Sequence, residues 1–146
     1  WEGIAVWPYL GHTFKSLKAL GSIMTGSAYP GLWDLHYDAH DESLHSMAEA
    51  YTRIYINTCL ENKVNVLLNI VNNGKCDGVV YHLNRSCKLM SFLNVETAEI
   101  IKEKTGLPYV SFDGDQTDPR NFAPAQFDTR VQALAEMMEA NLAAAE

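Results

Sequence analysis

Strand-like and helical segments alternate along this chain. The alternation predicts an α/β fold of the Rossmann-like or flavodoxin-like kind, with a parallel sheet of about four strands and helices on both faces. Three observations carry the prediction. Short apolar runs recur at 2–7, 22–28, 79–83 and 109–112. Between them lie stretches whose apolar residues return every three or four positions. At 146 residues, 47% apolar and 20% charged, the chain is long enough to bury one real core.

The elements follow in order. Residues 2–7 end at Pro8 and read as a first strand; from Thr13, the spacing of Phe14, Leu17 and Leu20 predicts a helix stopped by Gly21. Residues 22–28 read as a second strand, and 29–42 as a long loop of aromatics, acids and His. Leu44, Met47, Ala48, Tyr51, Ile54 and Tyr55 predict a helix that restarts at Val64, Leu67, Leu68 and Val71 after a break near Glu61 and Asn62. Asn73-Gly74 ends it, and 79–83 is the third strand. Val95, Ala98 and Ile101 mark a helix closed by Gly106 and Pro108, before the fourth strand at 109–112. A polar loop, DGDQTDPR, leads to a last helix carrying Phe127, Val131, Leu134, Met138 and Leu142 on one stripe.

Composition excludes several functions. A net charge of −7 and the absence of any Lys/Arg run oppose a nucleic-acid surface. The apolar stretch 64–71 is broken by Asn and too short to span a bilayer. Three cysteines without CxxC spacing argue against a disulfide framework, so a reducing, cytoplasmic setting is expected. The opening WEGIAVW, with neither Met nor a polar lead-in, is what a fragment of a longer polypeptide would show.

In parallel sheets ligands gather beyond the carboxyl ends of strands. Those ends carry 7–12, 29–42, 82–88 and 113–120, and Cys87 is among them. It follows a strand and precedes a helix, with Arg85 and Lys88 beside it to favour a thiolate. Nucleophile, metal ligand and buried structural thiol all remain open for it. Cys59, inside a helical pattern, and Cys76 read as inert. A Cys–His pair with His12, His36, His40, His45 or His82 cannot be read from spacing. The stretch HYDAHDE (36–42) reads as a solvated or partner-facing loop rather than a metal site. Asp113, Asp115 and Asp118 lack the glycine and closing Glu of a calcium loop and read as a rim-ordering turn. No glycine-rich phosphate motif occurs.

The segments WEGIAVWPYLGHTFKSLK, MTGSAYPGLWDLHYDAHDESLHSMAEAYTRIYINTCLENKV, DGVVYHLNRSCKLMSF and SFDGDQTDPRNFAPAQFDTRVQALAEMMEAN resemble the 2-hydroxyacyl-CoA dehydratase family. Within it they are most similar to the C-terminal part of the α subunit that acts on (R)-2-hydroxyglutaryl-CoA. The resemblance implies that residues 1–146 are a C-terminal α/β domain of a lyase subunit that dehydrates this thioester to glutaconyl-CoA in anaerobic glutamate fermentation. It implies a ketyl radical, a 4Fe-4S cluster held by three cysteines, a β subunit and an ATP-dependent iron–sulfur activator, and it leaves room for a flavin in the complex. Cys87 matches the family's C-terminal cluster cysteine, and the other two lie outside this chain, so the fragment alone is expected to be inactive. Asn84, Arg85 and Ser86 are candidate hydrogen-bonding neighbours of that ligand. For the substrate's distal carboxylate the candidates are Arg85, Arg120 and His12, and for the base they are His82, His12 and Glu2. Another 2-hydroxyacyl-CoA, such as lactyl-CoA, or a non-catalytic role docking the β subunit through the aromatic loop 29–42, are the alternatives.

Overall fold

A computed structural model describes residues 1–31, 33–37 and 43–145. Its helices are α1 (Leu10–Ala19), α2 (Ala28–Gly31), α3 (Ser43–Arg53), α4 (Leu60–Asn73), α5 (Lys88–Thr105) and α6 (Pro124–Ala145). Two strands, β1 (Val79–Asn84) and β2 (Tyr109–Gly114), pair in parallel from Val79 opposite Tyr109 to Asn84 opposite Gly114. Parallel strands need a crossover, and α5 is that crossover.

β1 reads VVYHLN and is buried at all but one position, so it needs cover on both faces. On one face Val79 and Tyr81 pack with Tyr55, Val64, Leu67, Val71, Ala98 and Ile101 from the α4–α5 side. On the other, Val80 and Phe112 pack with Val6, Phe122, Phe127, Val131 and Leu134 from the α6 side. Phe112 and Phe127 meet edge to face, 4.9 Å between ring centres. α5 stops at Gly106, whose φ of 72° is the left-handed cap a glycine accepts without strain.

The expected sheet of about four strands is therefore half realised among the described residues. At 2–7 only Glu2 adds to β1, its N–H donating to Val80 O and its carbonyl accepting from His82 N, both 2.9 Å. Gly3 then turns to a φ of 94°, and Ile4 gives its carbonyl to the His82 ring, so the chain leaves the sheet edge at once. The stretch 22–28 is not a strand. Gly26 is pressed against α4, where a Cβ would lie 2.6 Å from Ile70 Cγ2, and Ala28 already begins α2.

The helices differ from expectation in two places. The break falls at 54–59, not near Glu61, because Tyr55 turns into the core and Cys59 becomes the N-cap of α4. α3 also turns Leu44, Met47 and Tyr51 outward, burying only Ser46 and Ala50. Val95 of the α5 pattern and Leu142 of the α6 stripe are likewise exposed.

Candidate functional site

The carboxyl ends of β1 and β2 lie side by side, and the two polar blocks that follow them are tied together. The Arg85 N–H donates to Gly114 O (2.9 Å), linking the strand ends. Asn84 closes a tight turn: its carbonyl accepts from the Cys87 N–H (3.0 Å) and its Oδ1 from the Ser86 N–H (3.2 Å). The Ser86 hydroxyl reaches across to Asp115 Oδ2. Asp115 is itself buried, and its Oδ1 accepts the N–H groups of Thr117 (3.0 Å) and Asp118 (3.1 Å). These donors, the Ser86 hydroxyl foremost, hold the Asp115 carboxyl down at about 2.

Because that value is depressed, the clasp is present above the ordinary carboxylate range and is lost only as pH falls through about 2. Asp115→Ala is expected to free the 84–87 turn. Amide exchange at Ser86 and Cys87 should rise about tenfold while the β1–β2 ladder keeps its protection, as loss of hydrogen bonds to a charged acceptor requires. Unchanged exchange at both amides would show that the turn holds itself.

Cys87 sits on this rim as the N-cap residue of α5, half-buried, with φ −118° and ψ 84°. Its carbonyl accepts the Ser91 N–H (3.1 Å), the bond that starts the helix. The N–H groups of a first turn have no partner within their own helix and favour negative charge ahead of them. The side chains expected to serve Cys87 are engaged elsewhere. Ser86 holds Asp115, Arg85 faces Asp113 (3.3 Å), and Asn84 holds its own turn. Cys59 is exposed at the N-cap of α4, and Cys76 lies 3.4 Å from Thr25 Oγ1. Among the described residues no three His, Cys, Asp or Glu side chains converge as a metal site. A half-buried thiol ahead of a helix N-terminus suits one corner of an iron–sulfur cluster, whose other ligands would come from outside these residues.

The remaining candidates are spread over the fold. Arg120 forks onto Asp118, at 2.6 Å for its closest contact. His12, on α1, pairs with Asp128 of α6 (2.9 Å), outside the 84–87 turn. His82 is buried, stacked on Phe112, and its Nδ1 donates to Ile4 O (2.6 Å); burial lowers its proton affinity and keeps it neutral. Gly114 leaves room for this ring, since a Cβ there would lie 2.6 Å from Nε2. His36 is exposed beside Asp34, His45 is exposed on α3, and His40 lies outside the described residues. A cleft of about 380 Å³ at the opposite end of β1, lined by Leu20, Met24, Gly78, Leu134 and Met138, holds none of these residues.

Glu2 is placed unexpectedly. It is fully buried, Oε1 accepts the Tyr55 hydroxyl (3.0 Å), and Oε2 has no hydrogen-bond partner among the described residues. Desolvation raises its carboxyl to about 7, against the pull of the Tyr55 hydroxyl. The Tyr81 hydroxyl is buried beside it, also without a hydrogen-bond partner among the described residues, on the residue that Glu2 bridges. Lys63 completes the group, 3% exposed, with its ammonium 5.5 Å above the Tyr55 ring and 3.9 Å from Met90 Sδ. Sequence reasoning missed Lys63, although it stands on the same buried stripe as Leu67 and Val71.

The sequence model of the family described as 2-hydroxyglutaryl-CoA dehydratase, D-component, matches residues 1–138. The chain is 84% identical over all 146 residues to the lactoyl-CoA dehydratase subunit alpha of Anaerotignum propionicum, covering 35% of that protein. It is 49% identical over 138 residues to the (R)-2-hydroxyisocaproyl-CoA dehydratase alpha subunit of Clostridioides difficile, covering 94% of this chain and 33% of that one. With the (R)-2-hydroxyglutaryl-CoA dehydratase subunit alpha of Acidaminococcus fermentans it shares 41% over 140 residues, 96% of this chain and 28% of that one. The chain thus spans about a third of the length of the curated relatives it matches.

Proposed function

Because the chain belongs to the 2-hydroxyglutaryl-CoA dehydratase, D-component family, we propose that it forms the part of a 2-hydroxyacyl-CoA dehydratase α subunit that offers Cys87 to a 4Fe-4S cluster. The observation that carries this reading is the 84% identity along the entire chain to one such subunit. When bound, the cluster would supply a single electron to the thioester and an iron with an open position toward the departing hydroxyl. This chain's residues do the rest of the local work. Cys87 contributes one thiolate, the first turn of α5 faces it with N–H groups, and the Ser86–Asp115 clasp fixes the turn that presents it. A β subunit, an activator that delivers the electron, and the remaining ligands belong to the complete enzyme; this chain by itself is inactive on this reading. A reducing cytoplasm suits such a thiolate. No helix among the described residues is long and apolar enough to cross a membrane.

Lactoyl-CoA is the substrate best supported. Besides the identity, Arg85 and Arg120 are each paired with a carboxylate of their own, Asp113 and Asp118. A second carboxylate on the substrate, which (R)-2-hydroxyglutaryl-CoA has and lactoyl-CoA lacks, would have to compete with those partners. The 41% identity to the (R)-2-hydroxyglutaryl-CoA enzyme's subunit keeps that thioester as the second reading. Assay of the assembled enzyme with lactoyl-, 2-hydroxyisocaproyl- and 2-hydroxyglutaryl-CoA decides between them. Lactoyl-CoA should lead in kcat/KM by at least about tenfold, the scale on which pockets sort neighbouring acyl groups. A lead for 2-hydroxyglutaryl-CoA would overturn the choice, and water loss from none of the three would leave only a docking role.

A further inference from the structure

Lys63 is an anomaly in this fold. It is buried at 3% exposure in the first turn of α4, where the helix dipole disfavours a cation. No carboxylate lies within ion-pair distance among the described residues, and its contacts are a thioether sulfur and an aromatic face. Burying an ammonium so poorly matched is costly. Its position explains what it faces. α4 precedes β1 and α5 follows it, so both helices start at the carboxyl end of β1. Lys63 lies between these starts, touching Met90 in the first turn of α5, three residues beyond Cys87. Desolvation lowers the proton affinity of Lys63, and the nearby Glu2 and Cys87 side chains oppose that lowering.

We propose that Lys63 is a positioning residue that holds a buried positive charge against the group bound at Cys87, favouring the more negative, one-electron-reduced state of that group. The proposal rests on Cys87 being an iron–sulfur ligand. A cation in a low-dielectric wall stabilises added negative charge far more than one in water. The electron itself comes from a low-potential one-electron donor and is counted on the cluster.

The test uses the assembled enzyme with wild type, Lys63→Met, Lys63→Arg and Cys87→Ser, reconstituted anaerobically and titrated with a low-potential chemical reductant. Met keeps the linear, buried shape and drops the charge. Lys63→Met should keep its iron and show a more negative midpoint, with the reduced-to-oxidised ratio at fixed poise lower about tenfold, or about 59 mV for one electron. Lys63→Arg should stay near wild type. Loss of iron in Lys63→Met but not in Lys63→Arg would equally support a need for charge. An unshifted or more positive midpoint in iron-replete Lys63→Met, or loss of iron in both variants, would overturn the proposal. Full iron in Cys87→Ser would instead overturn the ligand assignment beneath it, which separates the two failures.

Discussion

Cys87→Ser is expected to leave the fold intact and to abolish the enzyme. The residue is the N-cap of α5, and serine is among the best N-cap residues, accepting an N–H of the first turn through its hydroxyl. Helix content and thermal stability should therefore stay the same or rise slightly. Iron binding should not survive in the same way, because a neutral hydroxyl is a poor substitute for a soft thiolate. Replacing groups around a metal ligand costs 10–100-fold in affinity or activity, so removing the ligand should cost more than about a hundredfold. Cys59→Ser and Cys76→Ser serve as controls and should retain iron and turnover, since neither thiol lies on the rim turn. The measurement is iron per assembled enzyme with the rate of dehydration. Undiminished iron in Cys87→Ser would sink the assignment.

Glu2→Gln is expected to stabilise the protein at pH 8 by up to about 3.5 kcal/mol and to do little at pH 4.5. The carboxyl is fully buried, and desolvation raises it from 4.5 to about 7. A raised value means that folding favours the protonated form. The stability it confers is complete below about 4.5 and is lost as pH rises through about 7. Roughly 2.5 pH units at about 1.4 kcal/mol each give the figure, which is an order of magnitude. Glutamine keeps the shape and can still accept the Tyr55 hydroxyl, but carries no charge to desolvate. Urea midpoints of the two proteins should converge in acid and separate between pH 5 and 7.5. Parallel curves across that range would mean that Glu2 is ionised in the fold at all these values.

Much of the fold was legible because its signals were local. β1 and β2 were found within two residues, since a run of β-branched and aromatic residues bounded by turns has few other uses. Gly106 and Pro108 closed α5 where the sequence placed its end. The two absent strands failed for reasons that lie elsewhere in the chain. Residues 2–7 leave β1 at Gly3, with the Ile4 carbonyl turned to the His82 ring, and in 22–28 Gly26 is packed against Ile70 of α4 while Ala28 bonds to Trp1. The α3 stripe could not be assigned a face, since periodicity shows that Leu44, Met47 and Tyr51 align but not what they meet.

The site divides in the same way. NRSCK and DGDQTDPR were both placed at strand ends, and the structure joins them through Ser86 and Asp115. Their pairing was not readable, because nothing local in either block names its partner. Arg85 and Arg120, candidates for the substrate's carboxylate, also pair with Asp113 and Asp118, turn-forming acids close to them in register or sequence. The Glu2–Tyr55–Lys63 group draws on three distant segments, and only Glu2 was suspected.

The Ser86–Asp115 clasp also bears on the order in which the molecule assembles. It joins residues 29 apart in the chain, and it can close only after α5 has formed and laid β2 beside β1. A contact that waits on such loop closure is expected to form late, with a φ-value near zero. Weakening the clasp would therefore speed unfolding and leave the folding rate nearly unchanged. On that order, the edge bearing Cys87 would be the last part of the molecule to set.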